Sequence, residues 1–546
     1  MRKRGRSLSA IRGSEETGYS VRNPILPGFH PDPCLIRAGG VYYIAVSTFE
    51  WLPGVRVYES EDLANWEYCC DILTDQVKLA GNPKNCSIWA PQLSYYDGLF
   101  YLIYTDVKST KRPFKDTHNY LITAEDIHGP WSPPVYLNSS GFDPSLFHDE
   151  DGRKWLLNVL WDYRMEEGNK SSGIVMQEYS PVQKRLIRKP MKLYDGTCLK
   201  KTEAPHIYKY SGWYYLLTAE GGTGSGHAVT VARSRELAGP YETDPRNPML
   251  TSRDHPELPL QCAGHGSLVE TPEGQWYMAH LCTRPIEGMY AILGRETALQ
   301  QVYWDEEGWL RLVSGGTVPE MEVVIQGVSK SPSPAVFRFE DRFDGSCLHP
   351  IWNTLRVLAD EHWCSLSVRP GYLRLTAGES VQSLFRHHLL GFRQRDFHFR
   401  AETALEYEPE HYLQMAGLML YLNEDNYLYA YISEETRIGR LDREYGEARK
   451  VLRLMKCEEG RFMLESEVIP VPTGVPVGIA VEGHEATAQF YYRYEDNLTW
   501  EPLFGTQFIG FLSGGFTGNY IAIAAHDMNS FQGSHADFAY FIYEQL

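Results

Sequence analysis

The chain has 546 residues, with 52 Lys and Arg against 70 Asp and Glu, a formal charge of −18. That length exceeds one ordinary core and predicts two or more domains. The acidic balance argues against a nucleic-acid or anionic-membrane partner and suits a neutral ligand, and no run of 18 apolar residues offers a membrane-spanning helix.

Residues 1–22 open with MRKRGRSLSAIRGSEETGYS, which is basic but lacks the apolar centre of a secretory signal. The stretch reads as a disordered leader or a start-site artefact. The ten cysteines are scattered, with one adjacent pair (Cys69, Cys70) and no C-x-x-C. That usage predicts reduced thiols and a cytoplasmic protein rather than a disulfide framework or a zinc site.

From residue 23 a repeat takes over. Gly40, Gly98, Gly152, Gly212 and Gly274 each precede an aromatic-rich apolar run, at spacings of 58, 54, 60 and 62 residues. Each copy reads as a short strand, a turn closed by Gly and a second strand, the mark of a hairpin. Five such units predict a five-bladed β-propeller over 23–315. Upstream of the glycines the copies read DPCL, APQL, DPSL, APHI and HGSL. Equivalent positions in a propeller lie on a ring, so Asp32, Asp143 and His265 should share one, with Glu203 one residue before its equivalent, Ala204.

A single Asp-Pro is ordinarily a turn. Three acids at matched ring positions are different, because facing carboxylates repel and are costly to bury. Phe49, Trp89 and Phe142 lie beside the ring positions. Flat rings stack on a sugar's apolar face while carboxylates bond its hydroxyls, so the set suits glycosidic-bond hydrolysis. Trp89 reads as a site residue; Phe49 fits a sugar pocket or a blade interface, and His265 a ligand contact or a hydrogen-bonded core position. An inverting enzyme holds its acid and base roughly 6.5–9.5 Å apart, and carboxylates on different blades suit that gap. GGTGSGH (221–227) is rejected as a phosphate loop, since it joins two strands and offers no helix N-terminus.

The ordered motifs NPILPGFHPDPCL, STFEWLPGVRVYES, IWAPQLSYYDG, NSSGFDPSLFHDEDGRKW, TEAPHIYKYSGWYYLLTAEGG, AGHGSL and LGRETALQ resemble the β-xylosidase branch of glycoside hydrolase family 43. The resemblance runs from about Asn23 to the C-terminus. It implies an inverting exo-β-1,4-xylosidase that releases xylose from the non-reducing ends of xylo-oligosaccharides. It implies Asp32 as general base, Glu203 as general acid and Asp143 as the residue that raises and orients the acid. Arg295 in GRET would bind a substrate hydroxyl and hold the base ionised. Phe49, Trp89 and Phe142 would wall the sugar pocket, with His265 on the channel floor, able to meet a water or a divalent cation. No cofactor is required for the chemistry; a structural or channel Ca2+ is compatible, and relatives are often homo-oligomers. Cys34 stands where the family has Ser after Asp-Pro, which puts support of Asp32 in question, a thiol being the weaker hydrogen-bond partner.

Residues 316–336 are rich in Ser, Pro and Gly and read as a linker. Residues 337–546 show strand patterning without helical periodicity and predict an antiparallel β-sandwich. The resemblance implies that a sandwich loop closes the pocket with an aromatic, for which Phe516 in GGFTGNY is the candidate; a sandwich-core Phe is the other reading. Asp341 in EDRFDG and Asp537 in ADFAYF are candidate oxygen ligands for a cation, although Ala539 replaces an aspartate found in relatives. Two further functions stay open: an α-L-arabinofuranosidase, and a non-catalytic carbohydrate-binding propeller.

Overall fold

The structure is a computed structural model that describes residues 18–166, 168–328, 336–435, 449–464, 467–494, 499–529 and 533–546. Its first part is the expected five-bladed propeller. Blade I is Cys34–Ala38, Val41–Val46, Gly54–Ser60 and Glu67–Leu73; blade II is Ser87–Tyr96, Leu99–Ser109, Asp116–Ala124 and Val135–Asn138. Blade III is Ser145–His148, Lys154–Trp161, Ser171–Ser180 and Arg185–Tyr194. Blade IV is Glu203–Tyr210, Trp213–Glu220, Ala228–Ser234 and Glu242–Thr243, with Leu250–Thr251 added beside its third strand. Blade V is Gln261–Glu270, Trp276–Thr283, Glu296–Trp304 and Leu310–Leu312. Every pairing is antiparallel.

The aromatic-rich run after each glycine has a simple cause. A blade's second strand is covered on both faces, so successive residues must be apolar even though they point opposite ways. In Leu99–Ser109, Phe100, Leu102 and Tyr104 pack with Tyr43 and Ala45 of blade I, while Tyr101 and Ile103 pack with Leu146 and Leu156 of blade III. Each such buried side chain contributes about 1.5–3 kcal/mol.

The leader and linker differ from expectation. Gly18–Arg22 is a strand paired with Glu322–Gln326, so both expected loose segments contribute to one two-stranded sheet. Residues 1–17 and 329–335 lie outside the described residues. The apolar Val21, Val323 and Ile325 supply the reason, since all three are buried with Tyr277 and Leu299 of blade V. The chain then bonds along blade V before entering blade I: Asn23 Nδ2 donates to Leu299 O at 2.8 Å, and His30 N donates to Arg295 O at 2.9 Å. This path ties the first blade to the last.

The second part is a sandwich of two antiparallel sheets, as expected. One runs Cys364–Ser365, Leu373–Thr376, His535–Gln545, His398–Glu406, Val477–His484, Thr487–Tyr494, Glu501–Phe508, with Arg338–Asp341 also paired to His535–Gln545. The other runs Leu389–Arg393, Tyr520–Asp527, Gln414–Asn423, Asn426–Glu435, Arg449–Glu458, Arg461–Leu464, with Ile469–Pro470 beside Arg449–Glu458. This second sheet is covered twice. Leu418, Leu420, Ile521 and Ile523 face the first sheet, whereas Met419, Tyr421, Tyr520 and Ala522 join a core with Phe29, Phe49, Trp51 and Trp89 of the propeller. Trp51 stacks on Tyr520 with ring centroids 3.6 Å apart, and Thr354–Leu355 pairs with Trp51–Leu52. Gly294 and Gly518 let the two backbones meet: a Cβ on Gly294 would fall 2.5 Å from Gly518 Cα.

Candidate active site

The five ring positions share one unusual backbone state. Asp32, Ala90, Asp143, Ala204 and His265 have φ of 55°, 36°, 51°, 50° and 50°. Left-handed φ is uncommon for residues other than Gly and carries strain, so its recurrence at matched steps marks the innermost edge of every blade. It also breaks the alternation of a strand. Consecutive residues at the kink no longer point to opposite faces, and Phe142 and Asp143 line the same cavity. For the same reason Glu203, one step before Ala204, faces the mouth together with Trp89, one step before Ala90.

The cavity has a volume of about 180 Å3, and Asp32, Asp143, Glu203, His265 and Arg295 all open into it. Asp32 is firmly held. Arg295 grips it with a fork, Nη1 donating to Oδ1 at 2.8 Å and Nη2 to Oδ2 at 3.3 Å. Ser47 Oγ donates to Oδ2 at 2.7 Å and itself accepts Ala90 N–H at 2.7 Å. Burial pushes the Asp32 carboxyl up, but Arg295, His265 and Ser47 together overcome it and leave it below its ordinary value.

The other pair is under the opposite pressure. Burial, then the charges of Glu203 and Asp32, push Asp143 well above the ordinary range, against Lys115 and an Ala204 N–H that donates to Oδ2 at 3.2 Å. Burial lifts Glu203 to about 7, with Asp32 adding to it and Lys115, Lys201 and Arg295 opposing. The charge of Glu203 acts on Asp143, so the two carboxyls titrate as a pair. His265 lies with Nδ1 3.7 Å from Asp32 Oδ1, and burial drives it below its ordinary value.

The walls are aromatic. Trp89 meets Phe142 edge-on at 5.7 Å and lies 6.0 Å from Phe49. Phe516, from the sandwich, sits 5.4 Å from Trp89 and 5.8 Å from Phe49. Its backbone is anchored in the propeller: Asn85 Oδ1 accepts Phe516 N–H at 2.7 Å, and Phe516 O accepts Arg295 Nε–H at 3.0 Å. Arg295 thus bonds the base candidate and the sandwich loop at once.

Sequence reasoning missed Ser47, Asn85 and Lys115. Lys115 lies in KRPFKD, a charged stretch that reads as solvated, yet its Nζ sits 4.2 Å from the centre of Phe142 and 4.3 Å from that of Trp161. Burial lowers its basicity while Glu203 and Asp143 restore part of it. Cys34 does not support Asp32. Its thiol donates to Leu93 O at 3.3 Å, stitching blade I to blade II, as Ser145 does between blades III and IV through Pro205 O. Burial pushes the Cys34 thiol up to about 12, so it stays protonated.

The cation reading of Asp341 and Asp537 fails. Asp537 receives Arg374 Nε and Nη2 at 2.7 Å each and Arg369 Nη1 at 2.9 Å, and two guanidinium groups would repel a cation there. Asp341 is taken by Phe343 N–H at 2.8 Å and Trp352 Nε1–H at 2.9 Å. At His265 the neighbouring carboxylate, Asp32, is engaged by Arg295 and Ser47.

Comparison with known proteins agrees with this construction. Residues 21–310 match the model of glycosyl hydrolases family 43, and residues 340–544 match the beta xylosidase C-terminal concanavalin A-like domain. "Xylosidase/arabinosidase 43B" of Humicola insolens and "Beta-xylosidase" of Bacillus subtilis are each 42% identical, over 96% of this chain and 98% and 99% of their own lengths. The crystal structure of xylan beta-1,4-xylosidase from Bacillus halodurans C-125 superposes with a TM-score of 0.92 at 47% identity, covering 96% of this chain and all of that one. With the ringed carboxylates, the aromatic pocket and both domain matches in hand, the chain belongs to glycosyl hydrolases family 43, an inverting family, and is a glycoside hydrolase.

Proposed function

We propose that the chain is an inverting exo-β-1,4-xylosidase that removes xylose from the non-reducing ends of xylo-oligosaccharides. One observation carries the reading: a single small cavity holds one carboxylate depressed by an arginine fork, Asp32, and one lifted to about 7 by burial, Glu203. Paired carboxyls pushed apart in acidity assign base and acid. Asp32 takes a proton from water, whose oxygen bonds the anomeric carbon as the glycosidic bond breaks. Glu203 gives its proton to the leaving oxygen. Asp143, itself pushed up by burial and by the charge of Glu203, modulates and orients the acid. A volume of about 180 Å3 corresponds to about six waters, closer to one pentose ring than to a run of sugars, and Phe516 narrows the opening further.

A second reading has a specific support. Relatives named as xylosidase/arabinosidase favour a side activity on α-L-arabinofuranosides. A cytoplasmic location belongs to the same proposal, supported by ten cysteines that are all unpaired. Proton NMR of aryl β-xyloside hydrolysis tests the main reading, since the only sugar released carries the newly formed anomeric centre: α-xylose should appear first. Initial β-xylose would overturn inversion; measurable but slower turnover of an aryl arabinofuranoside than of an aryl xyloside would support the side activity, and faster turnover would make the chain an α-L-arabinofuranosidase instead.

A further inference from the structure

Cys69 and Cys70 lie half-buried in Glu67–Leu73, the outermost strand of blade I, and neither lines the sugar cavity. Adjacent residues of a regular strand point to opposite faces, which would keep two neighbouring thiols apart. Here Cys70 pairs with Val57 and Tyr68 with Tyr58, so Cys69 is an extra residue without a cross-strand partner. That is a β-bulge, and it brings the second sulfur round to the first.

His128 closes the group from the next blade. It stands in the turn after Asp116–Ala124 of blade II, and one ligand atom from each of Cys69, Cys70 and His128 lies within 4.8 Å of the others. The Cys70 thiol donates to Ile127 O at 3.5 Å, so the blades already touch here. Glu59, on Gly54–Ser60, lies against the Cys69 thiol. Among the described residues no other trio of His, Cys, Asp or Glu converges in this way.

We infer that Cys69, Cys70 and His128 form a binding site for a thiophilic cation of the zinc class, which staples blade I to blade II. Two sulfurs and an imidazole are zinc ligands, with bonds of about 2.3 and 2.0 Å that place ligand atoms under 4 Å apart. The trio therefore needs to contract by about 1 Å, and His128, on an exposed turn, is placed to do it. Glu59 or a water completes the tetrahedron. Binding displaces thiol protons.

The test uses the full chain, reduced and stripped of metal, with the exposed Cys198 and Cys347 changed to Ser. Titration with Co2+ should give one equivalent of a thiolate-to-cobalt charge-transfer band, which Zn2+ then removes. Zn2+ should raise the melting midpoint by several degrees. Cys69→Ser and Cys70→Ser should abolish the band, and His128→Gln should weaken binding at least tenfold. Absence of the band in the parent, or an unchanged band in the Cys69→Ser/Cys70→Ser double variant, would overturn the site. His128→Gln changes an exposed side chain and should fold even where the cysteine variants fold poorly; unchanged affinity in that variant also overturns the site.

Discussion

The propeller mouth and the first sheet of the sandwich each hold a buried aspartate against arginine, and they put that pairing to different ends. In the sandwich, Arg369 and Arg374 meet Asp537 and Glu406, two positive charges against two negative. The network is closed, and Asp537 sits below its ordinary value because its hydrogen bonds from Arg374 and Arg369 outweigh burial. At the mouth, Asp32, Asp143 and Glu203 share one cavity with Arg295 and the half-buried Lys115, with Arg112 and Lys201 exposed at the rim. Only Asp32 is gripped by a guanidinium fork. For Asp143 and Glu203 burial is the largest influence and lifts both, Glu203 to about 7, so a proton is retained there. A carboxylate forked by arginine is a structural tie; a buried one without that fork stores a proton.

The strongest way to break this contrast is Asp32→Ala. It should lower kcat on xylobiose by on the order of 10^3–10^4 with the circular dichroism spectrum retained. An undiminished rate would defeat the base assignment. Next, Glu203→Gln should cost on the order of 10^2–10^4 with xylobiose but clearly less with an aryl xyloside whose leaving group needs no proton. Equal losses on both substrates would remove Glu203 from the acid role.

The proton itself can be moved. With Glu203 as the proposed acid and Asp32 as the proposed base, activity should fall as pH rises through about 7 and fall again only below the ordinary aspartate range. Lys115 depresses Glu203. Lys115→Met should therefore carry the alkaline limb of kcat/KM upward by about one unit; a limb that stays in place or moves down contradicts the influence of Lys115 on the acid. The smallest kinetic effect belongs to the sandwich. Asp537→Asn should leave kcat, KM and the pH profile unchanged while lowering stability by about 1–3 kcal/mol, read by urea unfolding. The stability that Asp537 supplies is full above its unfolded pKa and is lost as pH falls through its depressed folded one, so parent and variant should converge in acid. A shifted rate profile in this variant would show that the two regions are not independent.

Particular residues show how much of this was legible beforehand. The DPCL and DPSL steps placed Asp32 and Asp143 on one ring because a repeat carries geometry with it, and the left-handed φ at all five equivalent positions is that same periodicity expressed in the backbone. Glu203 was found by counting one residue off the repeat, and the kink explains why one residue off still faces the mouth. Ser47, Asn85 and Lys115 were out of reach, since none sits on the repeated step. Asp537 was misread because the arginines that neutralise it lie 163 and 168 residues away in the chain.

The sequence by itself determined the blades, the sandwich and the ring of acids, because periodic burial and turn chemistry are local and leave a written pattern. The resemblance carried by its motifs already pointed to Arg295 at the base Asp32, to Glu203 as the acid and to Phe516 at the pocket; only the tertiary structure decided which further residues hold and tune them, among them Ser47, Asn85 and Lys115. Those outcomes depend on charge and burial summed over residues far apart in the chain, and no local pattern records such a sum.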